Sequence, residues 1–379
     1  MKKFILWIIS LFLLCSTAFA AELTSTAKAA ILIEESTGKV LYQFNENEKL
    51  APASMTKMMT LLLIMEAIDQ EQISLNDDVF ISTNASNMGG SQVFLESNSK
   101  IKAEQLVKAI AIASGNDAAV AMAEHISGSV DTFVEKMNQK AEMLGLKNTH
   151  FANVHGLDTD NHYSSAYDMA IIAKELLKHP RILEYTSLYE DYLYKPDGSK
   201  TWLVNTNKLV RFYSGVDGLK TGYTKNAGYC LTSTASKNNI RFITVVMGED
   251  TSEHRSLDTT NLLNYAFANF RLNRIIGQND IIDTVSVSKG VKNKIYIYSE
   301  EDVNDVIKAN EDKTYTYQTD INSIKAPIHK GDVVGTLRII DNHGVLVKET
   351  NLVVHDEIVK NNFYHLFFSF FRNILGVFW

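Results

Sequence analysis

A serine and a lysine three residues apart, Ser54 and Lys57, carry the strongest signal for chemistry in this sequence of 379 residues. The Ser-x-x-Lys spacing alone is not selective, because it occurs six times, at Ser25, Ser36, Ser54, Ser97, Ser99 and Ser286. Only Ser54 opens a long apolar helical pattern, directly after Pro52, a residue that is typical of helix starts. Residues three apart share a helix face, with Cβ atoms about 5–6 Å apart, so we expect Lys57 to reach the Ser54 hydroxyl.

A lysine beside a serine acts as a base only when it is neutral, which requires burial or a second cation that lowers its pKa from about 10.4. Two later segments could provide that environment. Ser114-Gly115-Asn116 lies between two helical patterns, 60 residues after Ser54, and Lys220-Thr221-Gly222 follows 106 residues further on. The first turn of a helix also presents backbone N–H groups that favour a developing oxyanion. The three segments in this order indicate serine nucleophile chemistry.

These three elements match the S-x-x-K, S-D-N-type and K-T-G signature of penicillin-binding proteins and class A β-lactamases. The chain resembles a low-molecular-mass penicillin-binding protein of the D-alanyl-D-alanine carboxypeptidase family. The resemblance is carried by LAPASMTKMMT, AIASGNDAAVAMAEHI and SGVDGLKTGYTKNAGYCLTSTA, and it covers nearly the whole chain, including APIHKGDVVGTL and the C-terminal segment. It implies an α+β fold: a β-lactamase/DD-peptidase-like domain with an antiparallel sheet flanked by helices, a small all-β domain and a C-terminal amphipathic helix.

The resemblance assigns catalytic roles residue by residue. Ser54 corresponds to the acylated nucleophile and Lys57 to its general base. Ser114 and Asn116 correspond to residues that relay the proton and hold the substrate amide. The backbone N–H groups of Ser54 and Tyr223 correspond to the oxyanion hole.

The resemblance also assigns a substrate-binding set. Lys220 and Thr221 correspond to residues that bind the terminal carboxylate, and Gly222 and Tyr223 complete the set. The sequence departs from the family at two positions. Tyr223 stands where some members have His, which leaves its backbone role intact, and Val154 stands in the NVHGLD loop where members usually have Pro.

The activity implied by the resemblance is that of a serine D,D-carboxypeptidase, which removes the terminal D-alanine from peptidoglycan stem pentapeptides through an acyl-enzyme without metal or cofactor. Penicillins are the expected covalent inhibitors. A β-lactamase shares the fold and the acylation step, but its deacylation uses an extra glutamate, and Ala118 to Gly218 contains no convincing glutamate segment. A D,D-endopeptidase uses the same constellation, and a catalytically silent wall-binding scaffold is the alternative of a different class.

The composition places the chain among ordinary globular proteins. It is 45% hydrophobic and 21% charged, with a net charge of −7 and no Lys/Arg-rich block, so no nucleic-acid partner is expected. Two cysteines exclude a disulfide framework. His150, His155 and His162 cluster in one segment, but no metal-binding motif surrounds them, so we interpret them as loop histidines and predict no metal site.

The N-terminus has the pattern of an export signal. Lys2 and Lys3 precede the apolar run from Phe4 to Leu14, and Ala18-Phe19-Ala20 supplies a small-residue cleavage site. We predict a signal peptide over residues 1–20, with an uncleaved anchor as the alternative. The mature protein is then expected in the periplasm or at the outer face of the cytoplasmic membrane.

The C-terminal segment, residues 362–379, has 12 apolar or aromatic residues among 18. Its polar residues recur at steps of three and four, as a stripe on a helix: Asn362, His365, Ser369, Arg372 and Asn373. A spanning helix needs about 20 apolar residues and would not keep two of these polar groups in mid-span. The pattern predicts an amphipathic helix, over residues 359–379, in the membrane interface, with a terminal helix that packs on its own protein as the alternative.

The segments between the two ends predict an order of strands, then helices, then strands and a closing helix, which is typical of an α+β domain over residues 21–275. Thr37-Gly38 indicates a hairpin, and Asn238-Asn239 indicates a second one that joins a predicted strand pair, Gly228 to Ser236 and Arg241 to Met247. The helical patterns run from Ala53 to Asp69, Ala103 to Ala113, Asn116 to Ile126, Asp131 to Leu144, Ser164 to Leu177 and Ser256 to Phe270. After about residue 275, short β-prone runs separated by turn residues predict a small all-β domain over residues 276–358.

Overall fold

The computed structural model describes residues 23–361 apart from Pro196. These residues form two compact units: residues 23–33, 40–237 and 241–266 make up the first, and residues 34–39, 238–240 and 267–361 make up the second. The predicted signal peptide and the C-terminal segment 362–379 lie outside the described residues. Among the described residues, no helix combines the length and the apolar character that a bilayer crossing requires.

The first unit is built on a five-stranded sheet in the order β2-β1-β9-β8-β7. Its strands and those of two small two-stranded sheets, β3-β4 and β5-β6, are β1 (Ala29–Glu34), β2 (Val40–Phe44), β3 (Asp78–Phe80), β4 (Lys100–Lys102), β5 (Glu190–Tyr194), β6 (Lys200–Val204), β7 (Val216–Thr224), β8 (Gly228–Lys237) and β9 (Ile240–Glu249). The pairs β1/β2 and β7/β8 are antiparallel, and β7 is an edge strand of the sheet. The antiparallel sheet expected from the sequence is therefore present.

Nine helices are described, and most of them follow the predicted helical patterns. They are α1 (Lys57–Asp69), α2 (Thr83–Ser86), α3 (Ala103–Ala111), α4 (Asn116–Ser127), α5 (Val130–Met143), α6 (Ala166–Leu177), α7 (Ile182–Thr186), α8 (Leu209–Phe212) and α9 (Ser252–Asn269). A 3₁₀ turn, Ala53–Thr56, leads into α1. The core of this unit lies between the helices and the sheet, and α1 contributes ten buried residues to it.

Helix α1 differs from its sequence pattern in one respect. The periodicity predicts one apolar face, whereas the helix is buried on nearly all sides, including Lys57, Met59, Thr60 and Ile64. A helix that is surrounded by other helices buries its polar positions as well as its apolar stripe. The polar side chains of Lys57 and Thr60 therefore need hydrogen-bond partners inside the protein.

The second unit is all-β. Its strands are β10 (Phe270–Ile276), β11 (Ile281–Ser286), β12 (Lys294–Ser299), β13 (Val303–Lys308), β14 (Tyr315–Ile321), β15 (Val333–Asp341) and β16 (Leu346–Val354). Five of them form a sheet in the order β11-β12-β16-β15-β14, and β10 pairs with β13. The side chains of Ile297, Leu337 and Leu352 are fully buried in a core of this unit's own. The predicted domain boundary at residue 275 falls within β10.

Candidate active site

Ser54 and Lys57 are hydrogen-bonded at the start of α1. The Nζ atom of Lys57 lies 3.0 Å from the Oγ atom of Ser54 and donates a second hydrogen bond of 2.8 Å to the carbonyl oxygen of His155. Ser54 lies in the 3₁₀ turn and is half-buried, whereas the Lys57 side chain is fully buried. The serine hydroxyl is therefore reachable from solvent, while the amine beside it is not.

The surroundings of Lys57 favour its neutral form. Burial is the main cause that lowers its pKa well below the ordinary value, and the positive charge of Lys220 lowers it further. The carboxylate of Asp117 acts in the opposite direction but is the smallest of the three effects. A neutral amine that contacts the Ser54 hydroxyl can accept its proton, which a charged ammonium cannot.

Ser114 and Asn116 lie where α3 has ended and α4 begins, as the sequence predicts. Ser114 has a positive φ of 63°, and its Oγ atom is buried without a hydrogen-bond partner. The Nδ2 atom of Asn116 donates to the carbonyl oxygen of Gly89 at 2.7 Å, whereas its Oδ1 atom has no partner. Buried polar atoms are normally satisfied, so these two unpartnered oxygens indicate a place where a bound molecule supplies hydrogen bonds.

The next residue, Asp117, holds this turn against a neighbouring segment. Its carboxylate accepts hydrogen bonds from the backbone N–H groups of Val93 (3.0 Å) and Leu95 (3.2 Å). Burial raises the pKa of Asp117, although these N–H groups counteract the rise. These contacts hold the start of α4 against residues 93–95.

Lys220 and Thr221 lie in the middle of β7. The sequence analysis placed this segment before the predicted strand pair, whereas in the structure the whole motif lies within β7, a strand that was not predicted. The Nζ atom of Lys220 donates to the carbonyl oxygen of Thr221 at 3.1 Å, and the Thr221 hydroxyl donates to that of Thr206 at 2.7 Å. Burial, reinforced by the nearby positive charge of Arg255, lowers the pKa of Lys220 to about 7.

Gly222 allows β7 to approach the serine turn closely. A Cβ atom at this position would lie 2.8 Å from the carbonyl oxygen of Pro52 and 3.1 Å from the Cβ atom of Ala53. Tyr223, the next residue, has its side chain exposed and its ring 4.3 Å from that of Tyr229. Because β7 is an edge strand, alternate backbone N–H groups lie outside the ladder, which is compatible with the predicted oxyanion role of Tyr223.

The 150–162 loop packs on the start of α1. Backbone N–H groups of Leu157 and Ala152 donate to Nδ1 of His155 and of His162, respectively. Burial lowers the pKa of each imidazole to about 4, so both rings are neutral. The carbonyl oxygen of Val154 accepts a hydrogen bond from Thr60, so the valine that replaces the family's usual proline is part of this contact.

The described residues contain one cluster with metal-ligating groups, formed by Glu249, Asp250 and His254. The hydroxyl of Thr26 lies among these groups, 2.5 Å from a Glu249 carboxylate oxygen, 2.9 Å from Asp250 and 3.4 Å from Nδ1 of His254. The centre of the cluster is thus filled by a protein side chain, and we assign no metal to it.

Sequence reasoning missed several residues of the site. The carbonyl oxygen of His155, the carboxylate of Asp117 and the hydroxyl of Thr206 all contact predicted residues through tertiary structure, and no motif marks them. Arg255 is almost fully buried on α9, where burial lowers its pKa, and its charge acts on Lys220. A buried arginine in an amphipathic helix could have been suspected from the sequence, but its position beside Lys220 could not.

Comparisons with known proteins show which family the chain resembles. A family described as "D-alanyl-D-alanine carboxypeptidase" matches residues 16–251, and one described as "Penicillin-binding protein 5, C-terminal domain" matches residues 270–360. The chain is 47% identical to the D-alanyl-D-alanine carboxypeptidase DacF of Bacillus subtilis over 359 residues, which cover 94% of this chain and 91% of the relative.

Solved structures show the same likeness. Penicillin-binding protein 5 of Haemophilus influenzae aligns with a TM-score of 0.75 and 34% identity, over 88% of this chain and 98% of that chain. Penicillin-binding protein D2 of Listeria monocytogenes, in an ampicillin-bound form, aligns with a TM-score of 0.58 and 31% identity, over 64% of this chain and 97% of that chain. The chain therefore belongs to the D-alanyl-D-alanine carboxypeptidase family of low-molecular-mass penicillin-binding proteins.

Proposed function

We propose that this chain is a serine D-Ala-D-Ala carboxypeptidase, which removes the terminal D-alanine from peptidoglycan stem pentapeptides and is acylated by penicillins. The proposal rests chiefly on the 3.0 Å hydrogen bond between the Ser54 hydroxyl and a fully buried Lys57, whose pKa is lowered well below its ordinary value. It is supported by the family to which the chain belongs and by a relative, from Listeria monocytogenes, that was solved with bound ampicillin.

Acylation begins when Lys57 takes the proton of the Ser54 hydroxyl. The Ser54 oxygen attacks the carbonyl carbon of the penultimate D-alanine, and the backbone N–H groups of Ser54 and Tyr223 stabilise the oxyanion. Collapse of the tetrahedral intermediate breaks the peptide bond. The leaving amine takes a proton that Lys57 returns through the hydroxyl of Ser114, and the acyl group remains on Ser54.

Substrate selection follows from the carboxylate that ends the peptide. Lys220 in its cationic form and the Thr221 hydroxyl bind this carboxylate. The side-chain amide of Asn116 forms a hydrogen bond with an amide group of the substrate. Hydrolysis then repeats the first step with water as the nucleophile: Lys57 accepts a water proton, and the ester bond to Ser54 breaks. The products are the shortened peptide acid and a regenerated serine.

Intact-protein mass spectrometry with penicillin tests the proposal. We expect a covalent adduct of one drug mass that decays slowly, and none with the Ser54→Ala protein. Incubation with a pentapeptide that ends in D-Ala-D-Ala should release one equivalent of D-alanine per peptide. An adduct that turns over within seconds would instead indicate a β-lactamase.

Two further outcomes separate the remaining alternatives. Cleavage of cross-linked peptide dimers into monomers, without release of terminal D-alanine, would indicate a D,D-endopeptidase. Absence of both adduct and hydrolysis, together with normal cell-wall effects of the Ser54→Ala protein, would favour a catalytically silent scaffold.

We propose further that the chain is exported and acts at the outer face of the cytoplasmic membrane, held there by residues 362–379. The export proposal is supported by residues 1–20, in which a basic start is followed by an apolar run and then by small residues. Attachment to the membrane is supported by the polar stripe of the otherwise apolar C-terminal segment. The mass of the mature protein tests the first half of this proposal. A chain that begins at Ala21 agrees with cleavage, and one that begins at Met1 contradicts it.

A further inference from the structure

Four aromatic side chains are exposed beside the candidate active site. Tyr192, Tyr194 and Trp202 lie on the hairpin of β5 and β6, with exposed fractions of 37%, 56% and 59%, and Phe94, in the 93–95 segment, is 72% exposed. Tyr192 and Trp202 are direct cross-strand partners, and Tyr194 lies two residues from Tyr192 on the same face. We call these four residues the aromatic rim.

The hairpin is fixed to the rest of the first unit. Lys108 forms an ion pair of 2.8 Å with Asp191, and the backbone N–H of Tyr194 donates to the side chain of Gln105 at 3.0 Å. The Nζ atom of Lys195 donates to the carbonyl oxygen of Phe94 at 3.0 Å, which joins the hairpin to the 93–95 segment. The backbone that carries the rings is therefore fixed before binding, which lowers the entropic cost of ordering it when a ligand binds.

Phe94 is exposed because the backbone on both sides of it is held. Its φ of 57° is unusual for a bulky residue, and the N–H groups of Val93 and Leu95 are both bound to the Asp117 carboxylate. Phe94 is thus exposed to solvent on a segment that is hydrogen-bonded to the first turn of α4. An unfavourable backbone conformation that exposes a phenylalanine has no benefit for the core, and such outliers cluster at ligand-binding positions.

The rim lies within reach of a peptide bound at β7. The Thr221 hydroxyl is hydrogen-bonded to that of Thr206. Trp202 is four residues before Thr206, so the Cα atoms of Trp202 and Thr206 are at most about 14 Å apart. An extended stem pentapeptide spans about 17 Å. A peptide whose terminal carboxylate lies at Thr221 can thus place its opposite end, where a sugar is attached in peptidoglycan, at the hairpin.

We propose that the aromatic rim binds the glycan strand of peptidoglycan, as a subsite for substrates whose stem peptide is still attached to sugar. This inference rests on the proposed function. The C–H groups on a pyranose face carry a partial positive charge, which matches the negative faces of exposed aromatic rings. The Nζ atom of Lys200 lies over one face of the Tyr192 ring, 4.1 Å from the ring centroid, so we expect Trp202 and Tyr194 to provide the faces that contact sugar. Lys195 and Lys200 complement the free carboxylates of stem peptides, while Asp197 of the same turn is hydrogen-bonded to Ser199.

Direct binding can be measured through tryptophan fluorescence. The sequence has three tryptophans, and Trp202 alone lies among the described residues. A β-1,4-linked N-acetylglucosamine hexamer, used as the probe, should change the emission of the full-length protein in a saturable way. The change should be lost in the Trp202→Phe protein, and a titration that leaves the wild-type emission unaltered would contradict the proposal.

Kinetics with three substrates separate sugar binding from peptide binding. The substrates are a short acylated peptide ending in D-Ala-D-Ala, the complete stem pentapeptide without sugar, and polymeric glycan that carries pentapeptides. In the Trp202→Ala protein, we expect the kcat/KM ratio of polymer to short peptide to fall about fivefold or more, the size expected for a lost aromatic contact. The Phe80→Ala protein, which lacks an exposed aromatic residue of β3, should keep the wild-type ratio.

Two companion variants define the chemistry of the contact. The Trp202→Tyr protein should keep most of the wild-type kcat/KM ratio of polymer to short peptide, because it keeps an aromatic face. The Trp202→Leu protein should show the same fall in this ratio as Trp202→Ala. Equal activity of the Leu and wild-type proteins on polymer would overturn the proposal and indicate a general apolar contact with protein or a second copy. A loss already present with the sugar-free pentapeptide would assign the rim to the peptide instead.

Failure of this inference can be distinguished from failure of the proposed function. If penicillin forms no adduct and the short peptide is not hydrolysed, the proposed function is wrong and the subsite loses its substrate. If both reactions occur but the polymer ratio is the same in all hairpin variants, the carboxypeptidase remains and the glycan subsite is wrong.

Discussion

The candidate site depends on a lysine whose surroundings favour its neutral form. Lys57 is fully buried, close to the charge of Lys220, and both effects lower its pKa while it contacts the Ser54 hydroxyl. We expect the Lys57→Arg protein to be acylated by penicillin at least about 100-fold more slowly, because a guanidinium stays protonated and cannot serve as a base. Time-resolved intact mass measures this rate.

The matched control for this substitution is Lys147→Arg, at an exposed lysine of the same unit. It should leave the acylation rate at the wild-type value. A Lys57→Arg protein that forms the adduct as fast as wild type would show that another group accepts the serine proton.

The second residue-scale prediction concerns pH and Lys220. Its pKa is about 7, and carboxylate binding requires its protonated form. As pH rises through 7 the cationic fraction falls, so kcat/KM for a D-Ala-D-Ala peptide should decline about tenfold per pH unit above this value. The Lys220→Arg protein should show no such decline up to pH 9, because its cation persists. If kcat/KM of the Lys220→Arg protein declined in the same way, the loss of activity above pH 7 would be due to another titrating group.

At the scale of elements, two glycines on different segments closely approach the serine turn: Gly222 of β7 and Gly156 of the 150–162 loop. Gly156 has a φ of 91°, and a Cβ atom there would lie 1.8 Å from the carbonyl oxygen of Ala53. We expect Gly156→Ala to displace the turn that carries Ser54 and to reduce penicillin acylation at least about tenfold, because the clash is with backbone, which has little room to move.

Gly145 provides a control that distinguishes the effect of this clash from the effect of backbone strain alone. Gly145 has a φ of 70°, but a Cβ atom there meets nothing within 4 Å. Gly145→Ala should therefore cost about 1 kcal/mol in the free energy of unfolding, without a change in acylation rate. Similar acylation rates in the two variants would show that the close approach of Gly156 does not position the turn.

The elements also show what could be predicted from the sequence. Helices α1, α4 and α6 and the β8/β9 hairpin were visible because apolar periodicity and turn residues are local signals. The hairpin of β5 and β6 was missed because apolar side chains occupy both of its faces, so its strands lack an alternation of apolar and polar residues. In β5, for example, Tyr192 and Tyr194 are exposed while Leu193 is buried. The hydrogen bond from Lys57 to the His155 carbonyl could not be predicted, because it joins residues 98 positions apart through backbone atoms.

At the scale of the whole molecule, each unit has its own buried core, and the residues of the candidate site all belong to the first unit. The change of character near residue 275 was recognisable because a switch from long helical patterns to short β-prone runs is a compositional signal. The sequence could not indicate what the second unit does, since its strands contain no motif with a chemical role. Acylation is therefore expected to depend on the first unit alone.

The C-terminal segment, by contrast, should control where the protein acts. We expect full-length protein to sediment with vesicles of phosphatidylcholine and phosphatidylglycerol, and a chain ending at Lys360 to remain in solution with unchanged penicillin acylation. Only Lys360 and Arg372 are basic there, so 0.5 M salt should release little protein, because apolar burial and not charge provides the binding.

Two neighbouring substitutions test whether the segment binds as an amphipathic helix. Ser369 belongs to the polar stripe and Phe370 does not, so Phe370→Asp should release the protein from vesicles while Ser369→Asp should leave it bound. The difference arises because a carboxylate in the acyl boundary must lose its hydration, whereas one on the polar face keeps it. Equal release by both substitutions would contradict the helical stripe, and sedimentation of the chain ending at Lys360 would show that membrane attachment resides elsewhere in the protein.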